Sequence, residues 1–219
     1  VGEPCASVGY GLDHARNASP RRTKVAVASG TYSRVRLNQG CGTGPVSCVG
    51  LQGNYSDDTN WTAGGGTTVI QGSEETTGGL NYNTALNASG VTAPVIVSDL
   101  ILRGNTSAGS TYPMAGAVIQ NSAGLTMKNV VVNDTASSGY QATGVLVDAS
   151  TNVTLDGLSI KSGTATGAGS SAYGLRVIRG AQVQVINSTG TTRSITASNG
   201  VDGAKGAPAS NFAVPNNVW

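Results

Sequence analysis

Apolar residues in this chain fall in short alternating clusters, and the clusters repeat. Three align closely: Val95-Ile96-Val97-Ser98-Asp99-Leu100-Ile101-Leu102, Leu125-Thr126-Met127-Lys128-Asn129-Val130-Val131-Val132 and Val153-Thr154-Leu155-Asp156-Gly157-Leu158-Ser159-Ile160. A fourth, Val183-Gln184-Val185-Ile186-Asn187-Ser188-Thr189, follows less regularly, and the successive offsets are 30, 28 and 30 residues. Repeats of this length signify stacked supersecondary units. Inside each unit, Val95, Leu125, Val153 and Val183 form one column, and Val97, Met127, Leu155 and Val185 form the next, two residues on. A period of two is that of a strand. The alternation breaks at Asp99, Asn129, Gly157 and Asn187, then resumes at Leu100, Val130 and Leu158. Asn, Asp and Gly tolerate left-handed backbone, so this column predicts a bend between two short strands.

A second series supplies a third strand. Gly116-Ala117-Val118-Ile119, Gly144-Val145-Leu146-Val147 and Gly174-Leu175-Arg176-Val177 are spaced 28 and 30 residues apart. Three strands and three turns per unit predict a triangular coil, each strand pairing in parallel with its copies above and below. No helical i, i+3, i+4, i+7 stripe runs through this region. Earlier, Val25-Ala26-Val27, Val35-Arg36-Leu37, Val49-Gly50-Leu51 and Thr68-Val69-Ile70 read as strands of less regular coils. Before them, Ser7 to Ala15 predicts a short helix with Val8, Leu12 and Ala15 on one face, placed to cap the open end of the solenoid. The expected organisation is an N-terminal cap over 1–20, a β-helix over 21–199, and a C-terminal cap or linker over 200–219, where the pattern is lost.

Several segments resemble secreted bacterial right-handed parallel β-helix proteins with repeats like those of the pectate-lyase superfamily. These are Lys24-Val25-Ala26-Val27-Ala28-Ser29-Gly30-Thr31-Tyr32, Gly50-Leu51-Gln52-Gly53-Asn54-Tyr55 with Trp61, Thr68-Val69-Ile70-Gln71-Gly72, and Val97-Ser98-Asp99-Leu100-Ile101-Leu102-Arg103-Gly104. The resemblance covers roughly residues 5 to 190. It implies an all-β, right-handed parallel β-helix on the outside of a bacterial cell. Its members include enzymes, adhesins and proteins without a known role, and some β-helices trimerise, which leaves a homo-oligomer open.

Composition agrees with a solenoid and narrows the chemistry. Only 11% of the residues are charged, 32 are Gly, and there are one Phe and two Trp. Val, Ile, Leu and Ala must therefore fill the core. The net charge of +2, with scattered basic residues, argues against a nucleic-acid surface. No stretch approaches the roughly 20 apolar residues of a membrane span. Cys41 and Cys48 bracket a Gly/Pro-rich loop, which suits a local disulfide and an oxidising compartment, with Cys5 left over. His14, the single histidine, is far from that pair, so neither a zinc site nor a cofactor is expected.

No catalytic set emerges. A glycosidase needs two facing carboxylates, and a lyase of this fold needs a base with cations to stabilise the developing charge. Asp99, Asp134, Asp148 and Asp156 lie on the regular coils but share no column, and Asp57-Asp58 lies in a loop without accompanying catalytic motifs. Arg103 and Lys161 share a column with Asn133 between them, and Arg176 and Arg179 follow on the next coil, a basic stripe able to hold an anionic glycan. The expanded turns 105–115, 135–143 and 163–173 each hold one tyrosine: Tyr112, Tyr140 and Tyr173. Stacked along one edge, these rings would suit sugars or a protein partner. The expectation is a non-catalytic recognition or adhesion module binding glycan or a surface protein. A polysaccharide lyase or hydrolase is the alternative, and a rigid spacer is the third reading.

Overall fold

The computed structural model describes residues 7–41, 48–56, 60–74, 83–104, 114–133, 141–165, 170–188 and 194–197. The chain is a parallel β-helix of three sheets, each collecting one strand from successive coils. The first sheet runs Lys24–Ala28, Gly50–Tyr55, Val95–Ser98, Leu125–Lys128, Val153–Asp156, Val183–Ile186. The second runs Gly30–Ser33, Thr68–Gln71, Ile101–Arg103, Val131–Asn133, Ser159–Lys161, Ile195–Thr196. The third runs Val35–Arg36, Asn83–Ser89, Met114–Gln120, Gln141–Asp148, Ser171–Ile178, with the short strand Ser73–Glu74 antiparallel to Asn83–Ser89.

The register matches the sequence columns. Leu51, Val97, Met127, Leu155 and Val185 stand in line across the first sheet. All but Val185 are buried in one continuous core with the inward residues of the other two sheets. The bend column is left-handed at three of its four expected positions, with φ of 58° at Asp99, 52° at Asn129 and 62° at Gly157, and Asn187 is not among the left-handed residues. A second left-handed column closes the third sheet: Gly90, Asn121, Ala149 and Arg179 have φ of 69°, 46°, 45° and 54°. Just beyond it, buried serines satisfy the turn backbone. Ser122 Oγ donates to the Gln120 carbonyl (2.8 Å) and accepts from Val91 N (3.1 Å). Ser150 Oγ repeats the motif one coil on, donating to the Asp148 carbonyl and accepting from Ser122 N. Buried backbone groups are thereby paired where no strand ladder reaches them.

Two features differ from the sequence expectation. The third-sheet strands begin two or three residues before the glycines that were expected to open them. Gly144 and Gly174 instead lie within their strands, where the backbone passes close to the second sheet. A Cβ on Gly144 would stand 2.3 Å from Ile160 Cγ2 and 2.5 Å from the Gly174 carbonyl oxygen, so only glycine fits. The polar run Asn83–Ser89 was also not anticipated as a strand. It forms because Met114–Gln120 pairs with it along its length, and its Thr84 hydroxyl donates to the Leu86 carbonyl at 2.9 Å.

The N-terminal helix is Val8–Asn17. Ser7 caps it, its hydroxyl accepting from Tyr10 N at 3.2 Å. Val8, Leu12 and Ala15 are buried in the core against the first coil. Nearby, Cys41 and Cys48 form a disulfide, with Cα atoms 4.2 Å apart. Among the described residues no helix is long and apolar enough to cross a membrane.

Candidate functional site

The outer face of the first sheet carries a cleft of about 690 Å³. It forms where the early coils are irregular. Gly50 has no side chain, and a Cβ there would lie 2.5 Å from the Ile96 carbonyl oxygen, so the two strands approach closely. The register also shifts between Ala26 and Ala28, which opposes an extra residue of Gly50–Tyr55 to the first strand. The result is a hollow walled on one side by Thr23 and Lys24 and on the other by Pro94, Ile96, Asp99 and Lys128.

Alternation decides which side chains face the cleft. Leu51 and Val97 point inward, so Gln52 and its neighbour in register, Ser98, point outward. Gln52 is the centre of a polar network. Its carbonyl oxygen Oε1 accepts from Lys24 Nζ (2.5 Å) and from the Tyr55 hydroxyl (3.3 Å). Its amide Nε2 donates to Asp99 Oδ2 at 3.4 Å, while Asn129 Nδ2 donates to Asp99 Oδ1 at 3.3 Å. The left-handed bend column sets Asp99 and Asn129 side by side along the solenoid and thereby holds the carboxylate at the cleft margin. Ile96 stands beside this network 57% exposed. The cleft thus pairs an apolar ledge, Pro94 and Ile96, with fixed donors and acceptors and a lysine on either side.

Asp99 is the one carboxylate lining the cleft among the described residues. Asp148, nearly buried at the end of the third sheet, accepts a two-pronged contact from Arg179 and a hydrogen bond from Gln120 Nε2 (3.1 Å). Asp156 accepts from both the backbone N and the hydroxyl of Ser188. These bonds, the hydroxyl's foremost, hold its carboxyl below the usual carboxylate range, with Lys128 adding to the effect. Asp99 and Asp156 stand two coils apart at the corner between the first and second sheets, Asp148 stands at the end of a third-sheet strand, and Asp134, like the Asp57-Asp58 pair, lies outside the described residues. No group of three or more His, Cys, Asp or Glu among the described residues is placed to hold a metal ion.

The residues singled out from sequence are dispersed. Arg103, Asn133 and Lys161 do form a column on the second sheet, with Gln71 before them and Thr196 after, and both cations are exposed. Arg176 lies on the third sheet, so it does not extend that stripe, and Arg179 is engaged by Asp148. Tyr173 is within the strand Ser171–Ile178 rather than in the expanded turn, in register with Thr143. It is half-buried under Arg176, whose guanidinium lies 5.1 Å from the ring centroid and donates to Gln141 Oε1 at 2.6 Å. Tyr112 and Tyr140 lie outside the described residues.

Sequence reasoning missed the cleft residues Lys24, Gln52, Ile96 and Lys128. One signal was present. Ile96 occupies an outward position whose equivalents in later coils are Thr126, Thr154 and Gln184, so it is an apolar residue in the polar phase of the alternation. Comparison with known protein families, curated proteins and solved structures finds no match to this chain.

Proposed function

We propose that this chain is a non-catalytic recognition module that binds a glycan in the first-sheet cleft. The observation that carries the reading is the Gln52 network, with Lys24, Asp99 and Asn129 held beside exposed Ile96. A sugar ring presents hydroxyls at its edge and C–H groups on its faces. Fixed donors and acceptors next to an apolar ledge complement both. The cleft is within the range of about 300–1,000 Å³ typical of ligand sites. A hydrolase would need a second carboxylate across the cleft, and Asp99 stands there without one among the described residues. The Cys41–Cys48 disulfide supports display outside a cell, as does the resemblance of the repeats to secreted bacterial β-helices of the pectate-lyase superfamily.

The test is a panel of soluble polysaccharides, read for binding by calorimetry and for cleavage by chain length. Four proteins are compared: the unaltered chain, Gln52→Ala, Ile96→Ala and Tyr173→Ala. Binding that falls roughly tenfold in the first two variants, about 1.4 kcal/mol each, and persists in Tyr173→Ala supports the cleft. Binding lost only in Tyr173→Ala would move the site to the third-sheet edge. Shortening of any polymer would replace the reading with that of an enzyme.

A further inference from the structure

Charge is unevenly placed along the solenoid. Residues 7–41 make up the cap helix and the first coil, and they hold six of the chain's 13 Lys and Arg: Arg16, Arg21, Arg22, Lys24, Arg34 and Arg36. Asp13 is the single acid among them. This end therefore carries +5 in a chain whose total is +2, which leaves −3 for the remainder. Such asymmetry marks an electrostatic docking surface. The coil closes where these cations stand. Lys24–Ala28 opens the first coil, Val35–Arg36 ends it, and the cap helix packs against both strands. Arg22 N donates to the Ala15 carbonyl at 3.0 Å, which holds the 16–24 segment against the helix. Arg22 and Lys24 are exposed there. Arg21, Arg34 and Arg36 also make contacts within the chain and add their charge to the same end.

The cap helix adds an aromatic group to this basic end. Val8, Leu12 and Ala15 face the core, so Tyr10, His14 and Asn17, at i, i+4 and i+7, fall on the opposite face. Tyr10 is 61% exposed and stacks on His14, with ring centroids 6.2 Å apart and planes within 14°. A tyrosine has an apolar ring and a polar tip, which suits the boundary between lipid headgroups and water. Lys and Arg around it suit anionic headgroups, and each one near such a surface strengthens binding by roughly fivefold.

We propose that the capped end docks on an anionic lipid bilayer, with Tyr10 in the headgroup layer and the cations of the cap and first coil facing its charges. The later coils then extend away from the lipid. Charge complementarity names the partner, and the exposed ring beside the cations favours a lipid layer over a dissolved polyanion, which would use the cations alone. Nothing in the proposal depends on the glycan reading.

The experiment is co-sedimentation of the full chain with vesicles of phosphatidylcholine, alone or mixed with phosphatidylglycerol, at low and physiological salt. The variants are Arg22→Glu, Tyr10→Ser and Lys161→Glu, each checked for its far-ultraviolet strand signal. Lys161→Glu makes the same charge change four strands along the second sheet from the first coil, about 19 Å away and beyond the screening length. The expected result is binding to the mixed vesicles only, weaker at higher salt. It falls by about fivefold or more in Arg22→Glu, falls several-fold in Tyr10→Ser, and holds in Lys161→Glu. No binding to the mixed vesicles at low salt would overturn the proposal. So would equal losses from Arg22→Glu and Lys161→Glu, which would reflect net charge rather than this end. Soluble polyphosphate bound as tightly as the vesicles, with Tyr10→Ser unaffected, would replace the bilayer by a dissolved polyanion. Should Arg22→Glu not fold, Arg22→Gln decides: weaker binding supports the site, and unchanged binding overturns it.

Discussion

Asp156 shows how one residue ties a coil to its neighbour. Its carboxylate accepts from Ser188 N and Ser188 Oγ, fixing the chain that leaves the strand Val183–Ile186. These bonds favour the ionised form and lower its pKa from the ordinary 3.8. A carboxyl with a lowered folded-state pKa contributes stability that is complete above the unfolded value and vanishes as pH falls through the folded one. Melting followed from pH 5 to pH 2 is therefore expected to show an acid-side loss that is smaller in Asp156→Asn. Identical slopes in the two proteins would show that the Ser188 contacts contribute nothing to folding. The other αL positions obey similar local logic. Asp99 and Asn129 adopt left-handed backbone because their short side chains form a ladder with each other, and Gly157 continues the column with no side chain at all.

At the scale of an element, the third-sheet strands depend on a glycine in their interior. Gly144 is the fourth residue of the strand Gln141–Asp148, with Ile160 of the core immediately opposite. A methyl group there must displace either that side chain or the neighbouring strand's backbone at Gly174. Gly144→Ala is expected to cost about 1–3 kcal/mol in urea denaturation, the scale of overpacking a close-packed core. A neutral result would mean that the strand shifts outward without penalty. The sequence displays this glycine at a constant spacing but not its role. A Gly before an apolar triplet reads as a strand boundary, and only the facing Ile160 reveals that it is a close crossing. The strand Asn83–Ser89 is the converse case, since two Asn and two Ala, residue types depleted in strands, make up most of it and Thr84 is its single β-branched residue. Neighbouring coils impose the conformation, and pairing with Met114–Gln120 supplies what local preference does not.

For the molecule as a whole, stacking makes stability nearly one-dimensional. Each coil contacts chiefly the coil before and the coil after, so interior coils are held from both sides and terminal ones from one. Native-state hydrogen exchange is expected to show the slowest amides in Leu125–Lys128 and Val153–Asp156, with protection declining toward Ile195–Thr196. Uniform protection along the first sheet would indicate one global opening reaction instead. The same geometry places the cleft. The central coils are regular, so their outer faces are flat, while the irregular early coils leave the hollow around Gly50 and Gln52.

Period-two columns repeating at 28–30 residues determined the solenoid, its inward-facing residues and the αL bend, because each follows from local alternation and stacking at a fixed pitch, and the helical spacing of Val8, Leu12 and Ala15 determined the N-terminal helix. Tertiary structure alone decided which outward residues meet. Gln52 and Asp99 are 47 residues apart, and Lys24 and Gln52 are 28, yet they form one network. Conversely, Arg103 and Arg176 looked like parts of one stripe and stand on different sheets. The sequence states the phase of each residue, inward or outward, but not the sheet-to-sheet corner angle or the bulge that brings particular outward side chains together. Those depend on how coils of unequal length settle against one another, and no local pattern carries that information.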